Sequence, residues 1–174
     1  MAVISKKICM VGDFGVGKTS LIRRFVERQF SDRYLSTVGV KISRKMLELQ
    51  DAQQQSQEMK LMIWDIEGQT KFKAIAPSYL QGANGVLVVG DVTRQETLEH
   101  LEEQIHKFTE INPQGAVAVA FNKADLLDSE EMAYLQTHFQ LSHPALVGTF
   151  STSAKTGKNV DPIFEQLAYQ IWHH

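Results

Sequence analysis

The sequence predicts an α/β fold: a six-stranded, mostly parallel sheet flanked by helices on both faces. Two observations predict it. Short apolar runs read as strands alternate along the chain with segments whose apolar residues recur at helical spacing. Such alternation is the pattern of a parallel sheet covered on both sides. The first run also leads through a glycine-rich loop straight into a helix. In sheets of this kind ligands sit beyond the carboxyl ends of the strands, where strand order reverses.

Taken in order, Lys7 to Val11 is an apolar run ending at Gly12 and reads as a buried strand. Lys18 to Gln29 places Leu21, Ile22, Phe25 and Val26 at helical spacing. Lys41 to Leu49 and Met59 to Trp64 read as two strands, joined by the polar tip Gln50-Asp51-Ala52-Gln53-Gln54-Gln55-Ser56-Gln57. Val86 to Asp91 is a strand, and Leu98, Leu101, Ile105 and Phe108 then line one face of a helix. Ala116 to Asn122 is the next strand. Asp128 to Phe139 is a helix opened by a capping box from Asp128 to Glu131. Leu146 to Ser151 is the last strand. The final helix is expected to start at Asp161-Pro162, a cap followed by proline at the first helical position. There is no internal repeat and no Pro/Ser-rich linker, so residues 1–174 read as one domain.

Composition narrows the function classes. The 174 residues are 43% hydrophobic and 22% charged, near the globular average, which argues against a disordered, collagen-like or disulfide-stapled chain. A net charge of -2 disfavours a dedicated nucleic-acid binder, which needs a basic surplus. Cys9 is the single cysteine, so a reducing, cytoplasmic setting is expected. No apolar run has the length of a membrane span. The start lacks a signal-peptide core, Ala2 rules out N-myristoylation, and no cysteine near Trp172 offers a prenylation box. Peripheral membrane attachment would therefore need a lipidated tail missing from this chain. His173 and His174 are native or the remnant of a purification tag, and neither is given a metal role. His100, His106, His138 and His143 lack zinc-like spacing and read as surface residues. From Lys18 to Lys45 there are eight Lys/Arg and two Asp/Glu, either a mark of an acidic partner or, more often, a solvated helix face. Glu99, Glu102 and Glu103 read as solvated, with Glu103 and Lys107 an i,i+4 pair.

Gly12-Asp13-Phe14-Gly15-Val16-Gly17-Lys18-Thr19 fits G-x-x-x-x-G-K-[ST] in the required context, after a strand and opening a helix. Glycines let backbone N–H groups turn inward around phosphate oxygens, and the helix start adds partial positive charge. Lys18 would reach the β- and γ-phosphates, and the Thr19 hydroxyl would ligate Mg²⁺. This motif names a nucleoside triphosphate but not its base, so ATPases and small kinases stay open on it alone. Three further segments follow predicted strands: Trp64-Asp65-Ile66-Glu67-Gly68-Gln69, Asn122-Lys123-Ala124-Asp125 and Ser153-Ala154-Lys155. A carboxylate such as Asp125 can accept from both N1–H and the exocyclic amine of guanine, a pairing adenine cannot offer. That disfavours an ATP-using enzyme.

In this order the segments, with Tyr34-Leu35-Ser36-Thr37-Val38-Gly39-Val40 between the first and second, resemble a small Ras-superfamily GTPase with the P-loop GTPase fold. The Rab branch is the most similar, through Ser36-Thr37-Val38-Gly39-Val40, Tyr79-Leu80-Gln81-Gly82-Ala83 and Gly90-Asp91-Val92-Thr93. The resemblance covers essentially the whole chain. It implies a Mg²⁺-dependent GTP/GDP switch with slow hydrolysis, in signalling or vesicle-trafficking-type regulation. It also implies an exchange factor, an activating protein and effectors as partners, and a monomer. Nucleotide contacts would come from Asp13, Phe14, Gly15, Val16, Gly17, Lys18, Thr19 and Ser20, then Phe30 against the guanine, Tyr34, and Ser153, Ala154 and Lys155. Asn122 and the Ala154 N–H would contact the base or brace its loops, and the Lys123 stem would lie along base and ribose. Thr37 would ligate Mg²⁺ and sense the γ-phosphate, Asp65 would hold a Mg²⁺-bound water, the Gly68 N–H would meet the γ-phosphate, and Gln69 would orient the attacking water.

The chain departs from that pattern at several positions. Phe14 stands where relatives carry a small residue; its ring would either obstruct an arginine from an activating partner or fold back on the surface. Ile66-Glu67 replaces Thr-Ala, which puts a carboxylate either beside the Mg²⁺–γ-phosphate pocket or out in solvent. Lys41-Ile42 replaces Asp-Phe, so of the aromatic trio that reads Rab effectors Trp64 and Tyr79 remain and Ile42 does not match. Phe14, Ile66 and Glu67 keep open a second reading, a scaffold that holds nucleotide and barely hydrolyses it, while Gln69 and Thr37 favour hydrolysis.

Overall fold

The computed structural model describes residues 2–33, 36–70 and 74–174. Among the described residues six strands form one sheet: β1 (Ile4–Gly12), β2 (Val40–Gln50), β3 (Ser56–Ile66), β4 (Gly85–Asp91), β5 (Ala116–Asn122) and β6 (Leu146–Ser151), ordered β2-β3-β1-β4-β5-β6. All neighbours are parallel except β2 and β3, which pair antiparallel from Val40 opposite Ile66 to Gln50 opposite Ser56. Strand order runs outward from β1 on both sides. The loop that follows β1 therefore lies where ligands collect in open α/β sheets.

The helices are α1 (Lys18–Glu27), α2 (Pro77–Leu80), α3 (Gln95–Glu99), α4 (Leu101–Ile111), α5 (Ser129–His138) and α6 (Val160–Trp172). Every residue of β4 and β5 is buried, so alternate side chains feed two cores. Leu87, Val89, Ala118 and Ala120 meet α1 and α6 through Phe25, Phe164 and Leu167, with the Phe25 and Phe164 rings stacked 4.2 Å apart. Val86, Val88, Val117 and Val119 meet α4 through Leu101, Ile105 and Phe108. Among the described residues no helix is long and apolar enough to cross a membrane.

The structure adjusts several expectations. The strands flanking the glutamine-rich tip run to Gln50 and from Ser56, and Asp51 Oδ1 closes the shorter tip by accepting from the N–H groups of Gln53 and Gln55. The helix expected through Leu98 and Phe108 breaks at His100 into α3 and α4. At the break, His100 Nδ1 lies 2.6 Å from Asp13 Oδ2. Helix α6 opens two residues early, at Val160 rather than Pro162, with Asn159 and not Asp161 as its cap, at φ 56. The cap's Nδ2 donates to the Ser151 carbonyl at 2.8 Å. Asp161 thus lies inside the first turn and accepts from Arg28 Nη1 at 2.6 and 2.8 Å. The capping box of α5 is present in both directions, from Asp128 to Glu131 and back. Helix α2, with Pro77 at its start, was not foreseen.

Candidate functional site

The phosphate loop is built from its glycines outward. Gly12 ends β1 at φ 155, and a Cβ there would stand 2.4 Å from the Val89 carbonyl oxygen, so the backbone runs hard against β4. Gly17 caps α1 in the left-handed region at φ 102. Among the described residues, the N–H groups of Gly15, Gly17, Lys18 and Thr19 meet no protein acceptor. These are the orphan donors of a helix start and an anion cradle by construction. Lys18 is buried, with Nζ donating to the Gly12 and Asp13 carbonyls, each at 3.0 Å. Burial pushes its ammonium down to about 8, although Asp65 and Asp13 pull the other way. A phosphate would restore the charge that burial disfavours. Asp13 contributes backbone only: its carboxylate accepts from Gln104 Nε2 at 3.1 Å and faces His100.

Thr19, Thr37 and Asp65 converge although they come from α1, the loop before β2 and the end of β3. Thr19 Oγ1 donates to Asp65 Oδ2 at 2.6 Å and lies 2.7 Å from Thr37 Oγ1; Thr37 Oγ1 is 3.4 Å from Asp65 Oδ2. Burial raises the Asp65 carboxyl above its usual range, against the bonds from Thr19 and the charge of Lys18. Its other oxygen, Oδ1, is buried without a hydrogen-bond partner among the described residues. An orphaned carboxylate oxygen beside two hydroxyls is an all-oxygen donor set that suits Mg²⁺.

A cavity of about 350 Å³ adjoins the loop, lined by Phe30, Asn122, Lys123, Asp125, Ala154 and Lys155 among others; Ser20 lines both it and the smaller cavity over the phosphate loop. Ser153 Oγ donates to Asp125 Oδ1 at 2.7 Å and orients that exposed carboxylate at the lip. Asn122 is buried; its Nδ2 donates to the Val16 carbonyl at 2.9 Å, and its Oδ1 accepts from Thr152 Oγ1 at 3.0 Å. Lys123, at φ 63, donates from Nζ to the Gly15 carbonyl at 2.9 Å. Arg24 of α1 donates to the Ala154 carbonyl at 2.7 Å and to the Lys155 carbonyl. Arg24 thus leaves the solvated-face expectation for that basic stretch, while the exposed Arg28 keeps to it. Tyr34 lies outside the described residues.

The end of β3 differs from expectation. Gly68 sits against the loop, where a Cβ would meet Phe14 Cα at 2.5 Å. Gln69 zips beside it: its N–H donates to the Gly12 carbonyl at 3.1 Å, and its own carbonyl accepts from the Phe14 N–H at 3.0 Å. Its side chain turns to Gln104 Nε2, 3.2 Å away, and Gln69 does not line the small cavity over the phosphate loop. Glu67 takes neither expected place. Its Oε2 accepts from the Gly39 N–H at 3.1 Å while its own N–H donates to the Gly39 carbonyl at 2.7 Å, clasping the two loops. The Phe14 ring is 45% exposed and stands at the wall of the phosphate cavity.

Sequence reasoning passed over Asp91. Its Oδ2 lies 2.8 Å from Lys123 Nζ, and its Oδ1 accepts from the N–H and hydroxyl of Thr93. A carboxylate ending an otherwise apolar, fully buried strand was the available signal. Burial pushes its carboxyl up, but the bonds from Lys123 and Thr93 outweigh burial and hold it below the usual range. Asp91→Asn is expected to cost about 1–3 kcal/mol of stability at neutral pH. A depressed folded pKa stabilises above the unfolded value, 3.8, and that contribution fades as pH falls through the folded one. Denaturant melts should therefore separate the two proteins at pH 7 and bring them together in acid.

The comparisons agree with this geometry. The Ras family model matches residues 7–173. The chain is 34% identical over 169 residues to the Ras-related protein RABF2a of Arabidopsis thaliana, covering 97% of this chain and 82% of that protein. It is 33% identical over 174 residues to Ras-related protein Rab-22A of Homo sapiens, covering 98% and 86%. To Ras-related protein Rab-13 of Canis lupus familiaris it is 32% identical over 166 residues, covering 95% and 79%.

Proposed function

The chain belongs to the Ras family and is a Rab-like small GTPase, and we propose that its residues divide nucleotide binding and hydrolysis as follows. The observation that carries the assignment is the Asp125 carboxylate, oriented by Ser153 at the lip of the cavity that adjoins the phosphate loop. Asp125 reads guanine, with Asn122, Lys123 and Ala154 bracing the base loop and Phe30 covering the ring. The N–H groups of Gly15, Gly17, Lys18 and Thr19 and the Lys18 ammonium take the phosphates. Thr19, Thr37 and Asp65 would hold Mg²⁺, which neutralises phosphate charge when bound. Gly68 meets the γ-phosphate, and Gln69 orients water once its side chain leaves Gln104.

Residues 1–174 act as a single domain and as a monomer, cytoplasmic and without nucleic acid as a partner. The loops around Thr37 and Gly68 are the surface for an exchange factor, an activating protein and effectors in trafficking-type regulation. The test is to load the purified protein with Mg²⁺ and GTP, denature it and identify what is released. Guanine nucleotide is expected; adenine nucleotide, or none, would overturn the reading.

Hydrolysis has its own test. Gln69→Leu should slow single-turnover GTP hydrolysis by about tenfold with binding intact, the loss of one positioned water contact. If hydrolysis is unchanged by Gln69→Leu and slowed by Glu67→Ala, the water is held by Glu67 and the assignment to Gln69 is wrong.

A further inference from the structure

Arg94 lies outside every motif that named the nucleotide, at the cap of α3 just beyond β4. Its Nη1 and Nη2 both donate to the Phe14 carbonyl, at 2.9 and 2.8 Å. The next two carbonyls of the loop are held in the same way: Gly15 by Lys123 Nζ and Val16 by Asn122 Nδ2, each at 2.9 Å. Three successive peptides are therefore gripped by their oxygens from outside the loop. The described peptides are trans. In a trans peptide the C=O of one residue and the N–H of the next point in opposite directions. Holding the Phe14 carbonyl toward α3 thus turns the Gly15 N–H to the other side, as Asn122 does for Gly17. Gly15 and Gly17 both line the small cavity over the phosphate loop.

Gly15 lies in the left-handed region at φ 78, which its missing Cβ permits, so sterics alone do not fix the peptide before it. Arg94 restrains that peptide through the Phe14 carbonyl. Its Nε lies 3.5 Å from Glu96 Oε1, an ion pair without a hydrogen bond.

We infer that Arg94 is a positioning residue of the phosphate loop, which by holding the Phe14 carbonyl outward aims the Gly15 N–H at the phosphates of the bound nucleotide. The inference rests on the nucleotide-binding reading above. A neutral side chain at 94 leaves the peptide free to turn its oxygen inward, where it would repel phosphate.

The test compares the parent, Arg94→Ala and Arg94→Lys. GDP and GTP affinities are read by competition, and the backbone amide shifts of Gly15 and Gly17 by ¹⁵N NMR on loading with GDP. Arg94→Ala is expected to weaken both nucleotides about tenfold, the value of one charge-assisted hydrogen bond. Arg94→Lys should recover part of that loss, because one ammonium can reach the same carbonyl. The Gly15 amide should lose its response to GDP in Arg94→Ala while Gly17, held by Asn122, keeps its own. Unchanged affinity with an unchanged Gly15 response would overturn the inference. So would a loss in which Gly15 and Gly17 change together, since that marks a general charge or folding effect. If the parent binds neither GDP nor GTP, the underlying reading fails and takes the inference with it.

Discussion

Replacing Asp125 with asparagine is expected to weaken GTP and GDP by on the order of a hundredfold or more, and to improve xanthine nucleotides. The carboxylate is an acceptor at both oxygens, and Ser153 uses one lone pair to set its angle at the cavity lip. Guanine brings two adjacent donors to such a group. The asparagine amide has one acceptor and one donor end, so one guanine N–H would face another N–H. Xanthine carries an oxygen at that point and matches the amide. Asp125 is exposed, and the asparagine Oδ1 can still accept from the buried Ser153 hydroxyl, so the fold is kept out of the result. Competition binding with the two nucleotide classes is the measurement. Equal GTP affinity in variant and parent would show that Asp125 does not read the base.

The second large effect is expected at Thr19. Thr19→Asn removes a hydroxyl that donates to Asp65 at 2.6 Å and lies 2.7 Å from Thr37. The longer amide projects into the space among three oxygens and brings N–H donors where a cation would need acceptors. GTP affinity should fall by on the order of ten- to a hundredfold and GDP affinity by less, because the third phosphate adds charge that the metal must offset. Titrating Mg²⁺ against each nucleotide reads the difference. Undiminished GTP affinity with the parental Mg²⁺ dependence would exclude Thr19 as a ligand.

Much of this was legible because it is local. A phosphate loop is eight consecutive residues between a strand and a helix, and β4 and β5 are apolar up to their last residues, Asp91 and Asn122. Asn122 to Asp125 and Ser153 to Lys155 are equally contiguous. The parts that escaped depend on partners far along the chain. His100 breaks a helix while meeting Asp13, 87 residues away. Arg24 holds the Ala154 carbonyl across 130 residues and so leaves the solvated basic face, and the exposed Arg28 meets Asp161 across 133. Glu67 could be placed only once the register opposite Gly39 was known, since one residue of slip would send its side chain to the other face. Helix α2 has four residues, too few for a periodicity to show.

The grip of Arg24 has a further consequence. Helix α1 begins at the phosphate loop, and from its second turn Arg24 holds the backbone of Ala154 and Lys155 beside the base cavity. The two ends of the site are thereby carried on one rigid body. To such a site a nucleotide is a bivalent ligand: once the base is seated, the phosphates meet their cradle at a high effective concentration rather than from free solution. Guanosine and pyrophosphate offered separately should each bind weakly, and the intact nucleotide far more tightly than either. The gain comes from the spacing that Arg24 maintains, without any contact that the fragments lack.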